Sequence, residues 1–192
     1  MRIIGGSARG RRLIAPGRHF GQAVRPTSDR AREALFNIIR NEVEGRPVLE
    51  LFAGTGALGL EAVSRGAASV LFVEGDRAVA DLVQRNIDLC GFGAQARVLV
   101  RDLAHGVAFL RELAPASGFG LLLLDPPYAS GLAEKVLTEV AQLAIVGKDG
   151  LVVAETGRKE TLPEQFGLLR RVDHRRYGEA VFWLYRVGEG RQ

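Results

Sequence analysis

The sequence predicts an α/β fold, a doubly wound and mostly parallel sheet with helices on both faces. Three observations predict it. From about Pro47 onward, short apolar runs of strand length alternate with amphipathic stretches of helix length, the pattern of βαβ units. A glycine-rich turn, Gly54-Thr55-Gly56-Ala57-Leu58-Gly59, joins the first of these strands to the first helix. A polar cluster, Asp125-Pro126-Pro127-Tyr128, closes the fourth strand, at the edge where open α/β sheets bind ligands.

Taken in order, the chain opens with two apolar stretches, 1–4 and 11–14, around Gly5-Gly6-Ser7-Ala8-Arg9-Gly10. They read as a β-hairpin with arginines at its tip and sides. A helix is expected over 28–42. Thr27 or Ser28 can cap it, and Asp29 suits its first turn. Its apolar stripe is Ala31, Leu35, Ile38 and Ile39, with Arg30, Arg32 and Arg40 off the stripe. Strands are expected at 48–52, 69–74, 96–101, 120–124, 151–155, 168–175 and 181–187, and helices at 58–65, 77–89, 103–113 and 132–143. Right-handed crossovers wind these units into one sheet. Tyr177-Gly178-Glu179 is too short for a helix, so the last two of the seven strands form a hairpin and the last runs antiparallel. The expected division is an N-terminal hairpin extension, 1–27, and a main domain, 28–192.

With 192 residues, 47% hydrophobic and 25% charged, the chain has the length and composition of one globular domain. No apolar run reaches bilayer-spanning length, and the N-terminus lacks an apolar segment of signal-peptide length. The expected compartment is therefore the cytoplasm. A lone Cys90 without a histidine cluster excludes an internal disulfide and gives no metal site. Cys90 reads as a small buried or half-buried residue at a helix end. The net charge is +4, unevenly spread: residues 1–40 carry +7, residues 158–192 carry +3, and the middle about −6. Basic ends on an acidic body suit a polyanionic partner. Arginine supplies 23 of the 26 basic residues, and its planar fork matches phosphate and stacks on bases.

Gly54 and Gly56 let the backbone turn tightly and approach a ligand, while Gly59 lets the helix pack close to the strand. Glu74 lies 20 residues after Gly54, at the end of the second strand, where a carboxylate can accept both hydroxyls of a ribose. Dinucleotide-binding proteins share that layout. Two further acids favour S-adenosylmethionine. Glu50 sits inside the first strand, where it can support the turn or meet the cofactor's cationic amino-acid end. Asp102 ends the third strand before Leu103, where its carboxylate can accept from an adenine amino group and the next N–H can serve the ring. Asp102 can equally cap a helix.

The apolar strand 121–124 delivers Asp125 at the carboxyl edge. Pro126 and Pro127 remove two N–H donors and leave an acceptor-rich lip, and Tyr128 adds a flat face. An exocyclic base amine is a poor nucleophile because its lone pair is delocalised into the ring. Two acceptors, the Asp125 carboxylate and the Pro126 carbonyl, can hold its hydrogens and aim the lone pair at an in-line methyl. Aligning two bound reactants supplies roughly 7–11 kcal/mol. A base stacked on Tyr128 gains roughly 1–3 kcal/mol, against a few kcal/mol for extruding it. An acceptor-only carboxylate suits the paired N1–H and N2–H donors of guanine better than adenine's edge.

The sequence resembles the RsmD-type methyltransferases, which make N2-methylguanine in bacterial small-subunit ribosomal RNA. The resemblance runs over nearly the whole chain. It is carried by Met1-Arg2-Ile3-Ile4-Gly5-Gly6 with Arg9-Gly10-Arg11, by Arg25-Pro26-Thr27-Ser28-Asp29-Arg30 with Arg32-Glu33-Ala34-Leu35-Phe36-Asn37, by the run from Phe52 to Ala62, and by Asp125 to Tyr128. It implies a Rossmann-like class I fold. It also implies cofactor contacts at Phe52, Gly54, Thr55, Gly56, Glu74, Gly75, Asp102 and Leu103, with Arg25 and Thr27 near the cofactor's amino-acid end. Target-amine contacts fall to Asp125 and Pro126, and RNA contacts to Arg9, Arg11 and Arg12. A monomer acting on a partly assembled ribosomal subunit is expected. Glu50 stands where the family more often has Asp.

Two rivals share parts of this pattern. A DNA or RNA adenine-N6 methyltransferase fits the catalytic tetrapeptide, but the DNA enzymes usually carry a recognition insertion for which this chain has no room. A nicotinamide-dependent oxidoreductase fits the glycines and Glu74 but leaves Asp125–Tyr128 and the basic ends without a use.

Overall fold

A computed structural model describes residues 1–15 and 28–188. Its α-helices are α1 (Asp29–Ile38), α2 (Ala57–Ser64), α3 (Arg77–Cys90) and α4 (Leu132–Leu143). The strands are β1 (Pro47–Leu51), β2 (Ser69–Glu74), β3 (Ala96–Val100), β4 (Phe119–Leu124), β5 (Val146–Gly157), β6 (Gln165–Phe166), β7 (Leu169–Tyr177) and β8 (Ala180–Val187). They form one sheet in the order β3-β2-β1-β4-β5-β8-β7-β6. β1 to β5 are parallel. β8 runs antiparallel between β5 and β7. The described strands number eight rather than the expected seven, because the two-residue β6 pairs with β7. Among the described residues no helix is long and apolar enough to cross a membrane.

Strand alternation sends side chains to two cores, as the pleat requires. Val48, Leu121, Leu123, Leu151 and Val153 meet α1, α2 and α3 on one face. Leu49, Leu51, Leu122, Leu124 and Val152 meet α4 and two short 3₁₀ segments on the other. Helix α1 is capped by Ser28, whose Oγ accepts from the Ala31 N–H at 3.1 Å. Helix α3 is capped by Asp76 and ends at Gly91 in the left-handed region, φ 75°. Cys90 is the last residue of α3 and buried, and burial pushes its thiol pKa up.

Three local expectations change. The helix expected over 103–113 is instead two 3₁₀ segments, Leu103–His105 and Ala108–Glu112, interrupted at Gly106 with φ 105° and ψ 169°. Arg32, read as off the apolar stripe, is fully buried. It donates to the Arg2 carbonyl and to Asp29 Oδ1, and lies 3.9 Å from Glu61 Oε2. Periodicity sees only apolar residues, so it missed a buried cation with acidic neighbours. Ile38 is only partly buried and Phe36 takes its place in the core.

The N-terminal hairpin forms around a single antiparallel bridge, Arg2 to Arg12. It lies along α2, fastened by that helix's polar side chains. Glu61 accepts from the Ile4 and Gly5 N–H groups at 2.7 and 2.8 Å. Ser64 Oγ accepts from Ala8 N–H and donates to the Gly5 carbonyl. Gly6 passes so close that a Cβ there would stand 1.7 Å from the Ser64 carbonyl oxygen. Ile3, Ala8 and Leu13 are buried in the α1–α3 core.

Candidate active site

The carboxyl edge of the parallel strands gathers most of the expected site residues. β1 pairs with both β2 and β4, so the sheet's topological switch lies beside the glycine turn. Phe52, just past β1, has φ 58°, a left-handed backbone costing a non-glycine residue about 1–3 kcal/mol. The next residues hold it there: Ala53 N–H donates to the Val73 carbonyl and Gly56 N–H to that of Ala53. Gly54 and Gly56 follow with φ 55° and 74°, where glycine is at ease. Gly59 completes the turn's fit, since a Cβ there would lie 2.5 Å from the Phe72 ring and 2.6 Å from Glu50.

The acids around this turn are fixed by backbone donors. Glu74 Oε2 accepts from Gly54 N–H at 2.9 Å and Oε1 from Asp76 N–H at 3.0 Å. Glu50 is buried, and its Oε2 accepts from Gly59 N–H at 2.7 Å. Burial pushes the Glu50 carboxyl pKa up to about 8, against the lowering effect of the Gly59 and Leu58 N–H groups. Of its two expected roles, the structure displays the support of the turn. Asp102 caps the Leu103–His105 segment through Ala104 N–H at 2.9 Å, and its Oδ2 lies 3.0 Å from His105 Nδ1. Gly75 faces Asp102 across the ends of β2 and β3, where a Cβ would make ordinary contact with Asp102 Cα at 3.4 Å. The Leu103 side chain is buried beneath. Thr55 is buried, with its hydroxyl 3.6 Å from Met1 Sδ.

Asp125 is half-buried and one residue past β4, and its N–H donates to the Leu51 carbonyl at 3.3 Å. Leu51↔Leu124↔Ala154 is the last row shared by β1, β4 and β5. Phe52, Asp125 and Glu155 each follow a residue of that row in sequence, and Phe52 stands two residues before Gly54. Pro126 is buried and Pro127 exposed, with the Ser130 hydroxyl donating to the Pro127 carbonyl at 2.6 Å. Tyr128 donates its hydroxyl to Glu155 Oε1 at 2.7 Å. Its ring lies on Gly157, where a Cβ would stand 3.1 Å from Tyr128 Cδ2. Arg25 and Thr27 lie outside the described residues. Arg9, Arg11 and Arg12 are exposed. Arg9 is at the hairpin tip beside Ser64, at the amino edge of the sheet, where Gly45 N–H donates to the Gly66 carbonyl.

Sequence reasoning missed three residues here. Glu155 anchors Tyr128. Its sequence signal was an acid ending an apolar strand, as Asp125 does. Glu61 holds the hairpin, and its signal was a single charge within the apolar helix α2. Asn86, fully buried, accepts from Ile14 N–H at 2.7 Å and donates to the Ile14 and Thr55 carbonyls at 3.2 and 3.0 Å. It thereby ties the end of the hairpin to the glycine turn, and no local pattern marks it.

The family model described as "Conserved hypothetical protein 95" matches residues 1–186. The Escherichia coli K12 protein named Ribosomal RNA small subunit methyltransferase D is 35% identical over 163 residues, 85% of this chain and 78% of its own. A solved structure of a hypothetical protein from Thermus thermophilus superposes with a TM-score of 0.80 at 31% identity, covering 97% of this chain and 99% of that one. An RNA methyltransferase of Salinibacter ruber, solved with S-adenosyl-L-homocysteine, shares the fold at 13% identity, with a TM-score of 0.65 over 88% of this chain and 97% of its own. The glycine turn, the acids at the strand ends and the Asp125–Tyr128 rim therefore have a family context: this chain belongs to the RsmD family, on the Rossmann-like fold of S-adenosylmethionine-dependent methyltransferases.

Proposed function

We propose that this protein transfers the methyl group of S-adenosylmethionine to the exocyclic N2 amine of a guanine in bacterial small-subunit ribosomal RNA. The observation that carries the reading is the adjacency of the acceptor rim and the glycine turn: Asp125 N–H is bonded to the carbonyl of Leu51, three residues before Gly54. The residues present suit the cofactor. Glu74 can accept from ribose hydroxyls, Asp102 from an adenine amine, and the left-handed glycines leave the backbone open to a close ligand. When bound, the cofactor supplies a methyl group activated by a sulfonium.

The remaining work belongs to the chain. The Asp125 carboxylate and the Pro126 carbonyl accept the two hydrogens of the target amine and orient its lone pair. Tyr128, held by Glu155, stacks on the extruded base and keeps it in line. The proton that the amine loses passes to an Asp125 carboxylate oxygen. Guanine is favoured because its N1–H and N2–H present adjacent donors to an acceptor-only group. The basic ends suit a large RNA such as a ribosomal assembly particle. The test is incubation of the protein and labelled S-adenosylmethionine with small-subunit particles from cells lacking the gene, followed by mass-spectrometric mapping. The expected product is one N2-methylguanine. Label found only on adenine would replace the guanine reading, and calorimetry giving tight NAD binding without S-adenosylhomocysteine binding would remove the reaction.

A further inference from the structure

We propose that the turn after β5 is a second RNA-binding element, in which Arg158 and Lys159 grip the phosphates flanking the target base. This rests on the RNA-methylating reading above and extends it to the turn that begins at Gly157, on which Tyr128 rests. The turn is closed twice. Glu160 N–H donates to the Gly157 carbonyl at 3.0 Å, and Gly157 N–H donates to Glu160 Oε1 at 2.8 Å. Arg158 and Lys159 are its two central residues, and both are exposed. Glu160, the neighbouring acid, is turned inward onto the Gly157 amide, so the outer face of the turn is cationic.

Position gives the turn its role. Tyr128 rests on Gly157, so the two cations stand one and two residues beyond the floor of the base-stacking ring. Gly157 pairs with Ala180, and Ala180 with Tyr177. The exposed Arg176, one residue before Tyr177, pairs with Val181, which pairs with Thr156, so its backbone stands two strand spacings, about 10 Å, from the end of β5. The hairpin's Arg9, by contrast, sits at the amino edge of the sheet. A nucleotide held out of its stack needs its own backbone fixed nearby, and contacts to phosphate fix position without reading sequence.

The test uses the full chain, a fluorescein-labelled single-stranded RNA of mixed sequence, and S-adenosylhomocysteine. The double variant Arg158→Ala/Lys159→Ala is expected to bind S-adenosylhomocysteine within twofold of wild type. Its RNA affinity is expected to fall about tenfold, and its salt slope to become shallower by about 1.4, the contribution of two phosphate contacts on a single strand. The charge-keeping variant Arg158→Lys/Lys159→Arg should bind RNA as wild type does. Arg97→Ala/Arg111→Ala, which removes the same charge elsewhere, should leave the slope in place. An unchanged slope in the first variant, or an equal loss in the last, overturns the proposal. A wild-type protein that does not bind S-adenosylhomocysteine would instead count against the underlying function.

Discussion

The two halves of the sheet use their carboxylates differently. In the β1–β3 half, Glu50, Glu61 and Glu74 all accept from backbone amides: Gly59, then Ile4 and Gly5, then Gly54 and Asp76. In the β4–β5 half Glu160 also accepts a backbone amide, that of Gly157, but Asp125 and Glu155 stand at the strand ends and Glu155 receives a side-chain hydroxyl, that of Tyr128. The turn proposed to offer its backbone to the cofactor is made rigid by acids that satisfy its amides. The rim proposed to seat a flat base instead carries a ring, Tyr128, with a polar anchor.

This contrast can be broken at several points. The largest effect is expected from Glu61→Ala, which strips two amides of their acceptor and leaves the buried Arg32 without its buried counter-charge. Losing one partner of such a network costs about 3–5 kcal/mol, to be read from urea unfolding. A loss under about 1 kcal/mol would mean the hairpin does not depend on Glu61. Asp125→Ala tests the other half. Methylation should fall at least a hundredfold, about 2.7 kcal/mol of barrier, while S-adenosylhomocysteine binding stays within twofold. Loss of cofactor binding instead would move Asp125 into the first half's architecture.

Glu50 sharpens the comparison through pH. Its carboxyl titrates near 8 in the fold and near 4.3 in an unfolded chain, so the folded state holds a proton that the unfolded state has released. Stability therefore falls as pH rises from about 4.5 to 8, by up to about 1.4 kcal/mol per unit, and levels off above. Glu50→Gln keeps an acceptor for the Gly59 amide and should flatten this slope in thermal unfolding between pH 5.5 and 7.5. Equal slopes in the two proteins would show Glu50 ionised in the fold. The smallest effect is expected from Tyr128→Phe. It keeps the stacking ring and loses the Glu155 hydrogen bond, about 1 kcal/mol. That should appear as a KM for RNA raised about fivefold, and an unchanged KM would show the anchor to be dispensable.

Some of this was legible in the sequence. The strands from 47 to 124 fall where apolar runs of strand length occur, and Gly54, Gly56, Glu74 and Asp125 reach one edge because each ends or follows a strand. The segment 103–113 was not legible. It has helical apolar spacing, but Gly106 takes a backbone conformation that stops the helix, and spacing does not encode φ. Arg32 looked solvated because it lies off the apolar stripe of its helix, whereas it is buried against Glu61 of α2 and the Arg2 carbonyl of the hairpin. Asn86 and Ile14 are 72 positions apart, and no local pattern joins them.

The sequence by itself determined the alternation of elements, the glycine turn and the chemistry of each strand end. Those features arise from local periodicity and backbone preference, which act over a few residues. Only the tertiary structure decided that the hairpin's tip lies at the amino edge, that Glu61 and Asn86 fasten the hairpin to α2 and the glycine turn, and that Tyr128 rests on Gly157. These are contacts between distant segments, selected by packing and by the need to satisfy buried polar groups, and a one-dimensional pattern does not contain them.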